Sequence, residues 1–199
     1  MKSYSCHGRK AAACLICAIF IICAIFVATP VNAAEALDAK ITVSYDFQED
    51  FDMIFNCKVY SSGNFENVRL SVEFNGETVV LTPDFDDPET GLYRFTFRGV
   101  SAAEMTYVAK ATLIANIGNT EYKSEVKQAC IRDYAMALIN FYDDIYNSDT
   151  KAKKLCTAYV DMLNYGAAAQ KYFGKNTSNL ANKDLTSAQQ KMASSLPTS

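Results

Sequence analysis

Tryptophan is absent from this chain, and its one histidine is His7. Beyond that position no Ser-His or Cys-His pair can be assembled, and a cysteine nucleophile would need activation by lysine or arginine. Carboxylate pairs of the kind used in glycoside hydrolysis remain as raw material. Nothing in the pattern sets two of them across a cleft, so a small extracellular carboxylate-dependent hydrolase stands only as the alternative to a non-catalytic protein. Basic residues are also scarce: 19 Lys and Arg face 22 Asp and Glu, a formal charge of -3, with no basic stripe. That balance excludes a nucleic-acid module, whose affinity rests on neutralising phosphates. What the 199 residues do have is apolar material, 50% of the total against 21% charged. A real core follows, and a disordered or collagen-like chain is excluded.

Residues 1–33 read as an export signal. Lys2, Arg9 and Lys10 form a basic start, Ala11 to Ala28 is an uncharged apolar run, Pro30 breaks it, and Val31-Asn32-Ala33 offers small residues to a signal peptidase. Cleavage after Ala33 is expected, with a retained N-terminal anchor as the alternative because 18 apolar residues approach a membrane span. Losing three basic residues leaves 16 basic against 22 acidic, and Cys57, Cys130 and Cys156 are the cysteines that remain. The protein is therefore expected outside the cell or on its surface, touching membrane only through this segment.

From residue 36 to 127 the apolar period is two. Ile41, Val43, Tyr45 and Phe47 alternate with polar residues, as do Met53, Phe55, Cys57 and Val59. Val68, Leu70, Val72 and Phe74 lead into Asn75-Gly76, the dipeptide that best accepts a tight hairpin, with Val79 to Thr82 returning. Tyr93, Phe95 and Phe97, then Tyr107 to Ala115, then Tyr122 to Val126 beyond Gly118-Asn119, complete the set. Seven or so short strands in this length predict a mainly β fold with α, an immunoglobulin-like β-sandwich followed by a helical hairpin. Tyr107 and Ala109 have the spacing of a tyrosine corner.

Over residues 128–174 the period becomes helical. Ile131, Tyr134, Ala135, Leu138, Phe141, Tyr142 and Ile145 make one stripe, and Asn147 to Thr150 breaks it while offering caps. The next helix carries two stripes, Leu155, Tyr159, Met162, Gly166, Ala169, Phe173 and Cys156, Val160, Leu163, Ala167, before Gly174. In an antiparallel hairpin turning near Ser148, Cys130 lies 18 residues before the turn and Cys156 8 after it. The offset of about 10 residues is roughly 15 Å at helical rise. A bridge needs Cα atoms within about 7 Å, so no structural disulfide is expected. Residues 175–199 read as a polar tail with at most a short helix near Ser187 to Met192.

Two stretches, Tyr93 to Val100 with Met105 and Val108 to Ala111, and Met162 to Phe173 with Asn176 and Leu180-Ala181-Asn182, together resemble a module of secreted and cell-surface proteins of Gram-positive gut bacteria. The string Leu163-Asn164-Tyr165-Gly166-Ala167-Ala168-Ala169-Gln170 is its most specific part. The resemblance implies an immunoglobulin-like sandwich with a helical pair, and no activity.

Candidate site residues are few. Asp84, Asp86, Asp87 and Glu89 form the densest acidic cluster, which could supply oxygen ligands to a hard cation, although Pro88 spoils the EF-hand spacing. A solvated loop is the simpler account, and no metal or other cofactor is expected. Tyr146, Tyr165 and Tyr172 are the tyrosines that the core stripes leave over, and with Gln170 they mark a candidate surface for an extracellular protein or glycan. Gly166 is expected to let another backbone come close, by packing against the first helix or the sandwich, the rival account being a small-residue groove for a peptide or glycan beside Tyr165 and Gln170.

Overall fold

The alternating segments form two sheets in the computed structural model, which describes residues 35–47 and 50–194; the segment expected to direct export and the cleavage expected after Ala33 lie outside these residues. The strands are β1 (Glu35–Ala36), β2 (Ala39–Asp46), β3 (Phe51–Val59), β4 (Glu66–Phe74) and β5 (Glu77–Leu81). They continue as β6 (Phe85–Asp87), β7 (Leu92–Val100), β8 (Ala109–Ile117), β9 (Thr120–Lys123) and β10 (Lys127–Ala129). One sheet has the order β1-β9-β8-β4-β5, the other β2-β3-β7-β6. β9 and β10 share one edge of β8, pairing with Ile114–Ile117 and Ala109–Ala111 in turn, and β1 lies parallel to β9. The hairpin at Asn75-Gly76 has both residues at positive φ, 52° and 82°, and pairs Phe74 with Glu77.

Period two decides which side chains go inside. Met53, Phe55 and Phe95 of one sheet meet Leu70, Val72 and Leu113 of the other in a shared core, all fully buried. Each such side chain contributes about 1.5–3 kcal/mol relative to leaving it in water. The same core continues into the helices α1 (Ile131–Tyr142) and α2 (Thr150–Phe173) through Ile131, Ala135, Ile139, Val160 and Leu163. The helical part is therefore an extension of the core between the sheets.

The helix ends follow the expected chemistry. Asp149 caps α2, its Oδ1 accepting from the N–H groups of Lys151 (2.7 Å) and Ala152 (2.9 Å). Gly174 ends it at φ 66°, donating its N–H to the Gln170 carbonyl. α2 buries Ala152, Cys156, Val160, Leu163, Gly166, Ala167 and Gln170, which takes in the whole second stripe and Gly166 of the first, while Tyr159 and Met162 of the first stripe are partly buried against the core. Leu155 and Phe173 are exposed, as are Phe141 and Ile145 of the stripe expected on α1. Phe141 lies within α1 but off its buried line of Ile131, Ala135 and Ile139, whereas for Ile145 the reason is that α1 stops at Tyr142 and a 3₁₀ turn, Asp143–Ile145, takes over. Its three-residue period turns the following side chains off the helical stripe.

Four other expectations are corrected. Strand β8 begins at Ala109, because Ser101 to Thr106 is taken up by a 3₁₀ turn (Ala102–Glu104) and the buried residues Met105 and Thr106. Tyr107 thus stands before the strand, its ring edge-on to Phe74 at 5.9 Å, and among the described residues its hydroxyl makes no tyrosine-corner bond. The final strand ends at Lys123, where Ser124 turns inward: its N–H donates to the Leu113 carbonyl and its Oγ accepts from the Leu113 N–H, both at 2.9 Å. The acidic loop is partly a strand, since Asp86 and Asp87 lie in β6 against Tyr93 and Leu92. The polar tail is folded down: Ala181, Leu185 and Met192 are buried beside the helices, and a short helix α3 (Ser187–Gln190) is capped by Thr186.

Cys57, Cys130 and Cys156 are free, buried thiols. Cys156 Sγ lies 4.0 Å from the Ile139 carbonyl, well along α1 from Cys130, as the hairpin offset requires. Burial pushes the Cys57 thiol up to about 12 and raises the other two above their ordinary value of 9.0. A thiol at 12 is about one part in ten thousand thiolate at pH 8. Protein beginning at Ala34 is accordingly expected to react with a disulfide reagent only after denaturant is added, when three thiols should appear; rapid labelling of the native protein would contradict this burial.

Candidate functional site

Burying one face of α2 leaves the opposite face to solvent. Tyr165 and Tyr172, seven residues apart and so almost in line along the helix, are 67% and 83% exposed. Phe173, on the shoulder of that face, is 64% exposed and meets Tyr172 edge-on at 4.8 Å. Tyr165, Ala169 and Phe173 form one wall of a cleft of about 240 Å³ whose other wall holds Phe51 and Val100. The result is an aromatic surface with two flat, amphipathic rings at its centre, suited to stacking or apolar contact.

Of the four residues expected at a binding surface, Tyr165 and Tyr172 come together and the other two do not. Tyr146 is half-buried in the turn before α2, with the Lys153 ammonium 5.9 Å above its ring. Gln170 is fully buried. Its Nε2 lies within hydrogen-bond distance of Thr106 Oγ1 (3.0 Å) and the carbonyls of Asn176 (3.3 Å) and Asn179 (3.1 Å), and its Oε1 accepts from the Ala181 N–H at 2.7 Å. All its capacity faces inward, so it cannot contact a ligand at the surface. The proposed small-residue groove is likewise filled, because Met105 and Ala181 occupy the space beside Gly166.

The acidic cluster is not gathered around one point. Asp84 accepts from Arg98 at 3.1 Å; slight burial opposes its ionisation, but Thr96 and Arg98 hold its carboxyl below the ordinary value. Asp87 accepts from the Thr90 hydroxyl at 2.7 Å and the Thr90 N–H at 3.2 Å, which also lowers it. Asp86 precedes Asp87 in a strand, so the two side chains point to opposite faces. Among the described residues no three His, Cys, Asp or Glu side chains are placed to hold a metal ion.

Glu104 ties the loop between β7 and β8 to the chain after α2. Its Oε1 accepts from Lys175 Nζ at 2.7 Å and its Oε2 from the Ser101 hydroxyl at 2.7 Å. Burial opposes ionisation of Glu104, but these bonds and the Lys175 charge hold its carboxyl below 4.5. A depressed carboxylate stabilises the fold above its unfolded value, and that contribution fades as pH falls through the folded one. Glu104→Gln should therefore melt below the wild type at pH 7, with the gap closing on acidification below about 4.5; a pH-independent gap in melting curves would assign the loss to packing instead.

Sequence reasoning missed Phe173, which was read as core. The signal lay in its position just before Gly174, where the last helical turn runs past its support. Phe51 was missed because it precedes the period-two run that identified β3.

No protein-family model and no curated protein matches the chain. Two solved structures are similar to parts of it. One is a carbohydrate-binding module family 56 β-1,3-glucan binding domain, 16% identical over 45% of this chain and 98% of that one, with a TM-score of 0.29. The other is a GH family 64 laminaripentaose-producing β-1,3-glucanase from Paenibacillus barengoltzii, complexed with laminarihexaose. It is 15% identical over 57% of this chain and 23% of that one, with a TM-score of 0.30. Likeness of this extent carries no inference about the activity or ligand of this chain.

Proposed function

We propose that the chain is an exported, non-catalytic binding or structural module that meets an extracellular protein or glycan through the aromatic face of α2. The observation that carries this reading is the exposure of Tyr165, Tyr172 and Phe173 together, an apolar surface that nothing else in the described chain covers. Strand order supports an immunoglobulin-like sandwich beneath it: β2-β3-β7-β6 follows the order A-B-E-D, and β5-β4-β8-β9 the order C′-C-F-G. The resemblance to a surface module of Gram-positive bacteria fits the same location. So do the basic start, apolar run and small residues of 1–33, and N-terminal sequencing of exported protein should begin at Ala34.

The test is incubation of the protein with a panel of extracellular glycans and peptides, reading binding and product together. Saturable binding without turnover is expected, weakened about tenfold or more in Tyr165→Ala/Tyr172→Ala, as truncation of central aromatic contacts does elsewhere. Release of product from any member would replace this reading with the carboxylate-dependent hydrolase.

A further inference from the structure

Away from α2, the Tyr60–Phe65 loop joining β3 to β4 and the Pro88–Gly91 turn joining β6 to β7 face each other across a second cleft. Its volume, about 420 Å³, lies within the range of about 300–1,000 Å³ common for small-ligand sites. Both walls are fixed by main-chain bonds. Val59 N–H donates to the Gly91 carbonyl at 2.9 Å, and a Cβ on Gly91, at φ 68°, would come within 2.7 Å of the Val59 oxygen. The turn is thus pressed against β3 with no side chain in between. On the opposite wall Tyr60 N–H donates to the Asp38 carbonyl at 2.9 Å, and Asp38 N–H to Ser61 Oγ at 3.0 Å. A cleft held open in this way loses little entropy when it is filled.

The residues lining the cleft include Tyr60, 56% exposed, and bring to it the polar side chains of Ser62, Asn64 and Glu89. None of these side chains has a hydrogen-bond partner among the described residues. No basic side chain lines the cleft, and the nearby Lys58 ammonium donates to the Thr90 carbonyl. An anion would therefore meet the Glu89 carboxylate with no basic side chain in the lining to offset it, and an apolar ligand would strip water from polar groups without replacing its hydrogen bonds. A ring bearing several hydroxyls satisfies all four groups. Its C–H face lies on Tyr60, and its hydroxyls donate to Glu89 and exchange bonds with Ser62 and Asn64.

We propose that this cleft binds a neutral saccharide, at a site separate from the aromatic face of α2. The experiment is an amide-detected NMR titration of the protein with soluble gluco-, manno-, galacto- and xylo-oligosaccharides, each taken to its solubility limit. At least one is expected to shift the amides of residues 60–65 and 89–91 saturably. Tyr60→Ala should weaken that binding about tenfold or more. Asn64→Ala should weaken it less, and Tyr172→Ala should leave it unchanged. Both cleft residues are exposed, so unchanged amide spectra elsewhere will show that the variants fold. The proposal is overturned if no saccharide shifts these residues, or if Tyr60→Ala binds at full strength. Shifts produced by tetramethylammonium and by no saccharide would also overturn it, in favour of a cation site.

Discussion

Replacing Gly166 by leucine is expected to destabilise the protein by about 3 kcal/mol, the upper end of ordinary overpacking costs. Gly166 is buried in the middle of α2, where glycine sacrifices about 1 kcal/mol of helix propensity relative to alanine. The compensation is space. A Cβ at this position would stand 2.0 Å from Met105 Sδ and 3.2 Å from the Ala181 Cβ, and Met105 is itself fully buried and has little room to retreat. At about 2–4 °C per kcal/mol for a chain of this size, leucine should lower the melting temperature by about 6–12 °C. Gly166→Ala gains propensity but still meets Met105, so a smaller loss is expected. Combining Gly166→Leu with Met105→Ala should cost less than the two single losses added together, because each relieves the other's strain. An unchanged melting temperature in Gly166→Leu would mean that Met105 does not occupy this space.

The close approach at Gly166 also shows what could and could not be read from the sequence. The glycine announced itself, since its helical cost demands a reason, but its partner did not. Met105 lies in the eight-residue connection between β7 and β8, where a single apolar side chain has no period to reveal it. Ser101 and Glu104 did carry a usable signal, the spacing of a capping box, and the 3₁₀ turn has that box. The strands were legible wherever one face is buried and the other wet, from Ile41 to Phe97. β6 was missed because Phe85-Asp86-Asp87 is three residues long and acidic, against the usual strand preference. The segment after Gly174 was misread for a related reason: Ala181, Leu185 and Met192 are too widely and irregularly spaced to form a stripe, yet each finds a gap against the helices.

The candidate site was half legible on the same grounds. Tyr165 and Tyr172 stood out because the apolar stripes of α2 had no use for them. Gln170 stood out equally, as a polar residue among small ones, although it lies on the core-facing seam. Burial there is tolerable only with every polar atom paired, which no sequence pattern displays because its partners lie on two other segments. The specific string from Leu163 to Gln170 thus describes how α2 holds its neighbours. Gly166 admits Met105 and Ala181, Asn164 Oδ1 accepts from Asn182 Nδ2 at 2.9 Å, and Gln170 binds both the β7–β8 connection and the chain beyond the helix.

Gln170→Ala should therefore cost about as much as the glycine replacement, by a different route. The variant removes the partner of Thr106 Oγ1, of the Asn176 and Asn179 carbonyls and of the Ala181 N–H. A buried group left unpaired costs about 1–3 kcal/mol, and water entering the vacated space offsets part of the total, so a loss of about 3 kcal/mol is expected. Thr106 keeps one tie, the bond from Asn176 Nδ2 at 2.9 Å, which keeps the connection in place while the later segment loosens. The damage should be uneven in consequence: hydrogen exchange at Ala181 should accelerate more than exchange at Leu70 or Leu113, and trypsin should cut first at Lys175 and Lys183. Gln170→Leu, which keeps the volume and loses the bonds, should behave like alanine if hydrogen bonding dominates and like wild type if filling the space is what matters. Ala181 exchange as slow in both variants as in the wild type would show that the segment after Gly174 is held by its apolar contacts alone.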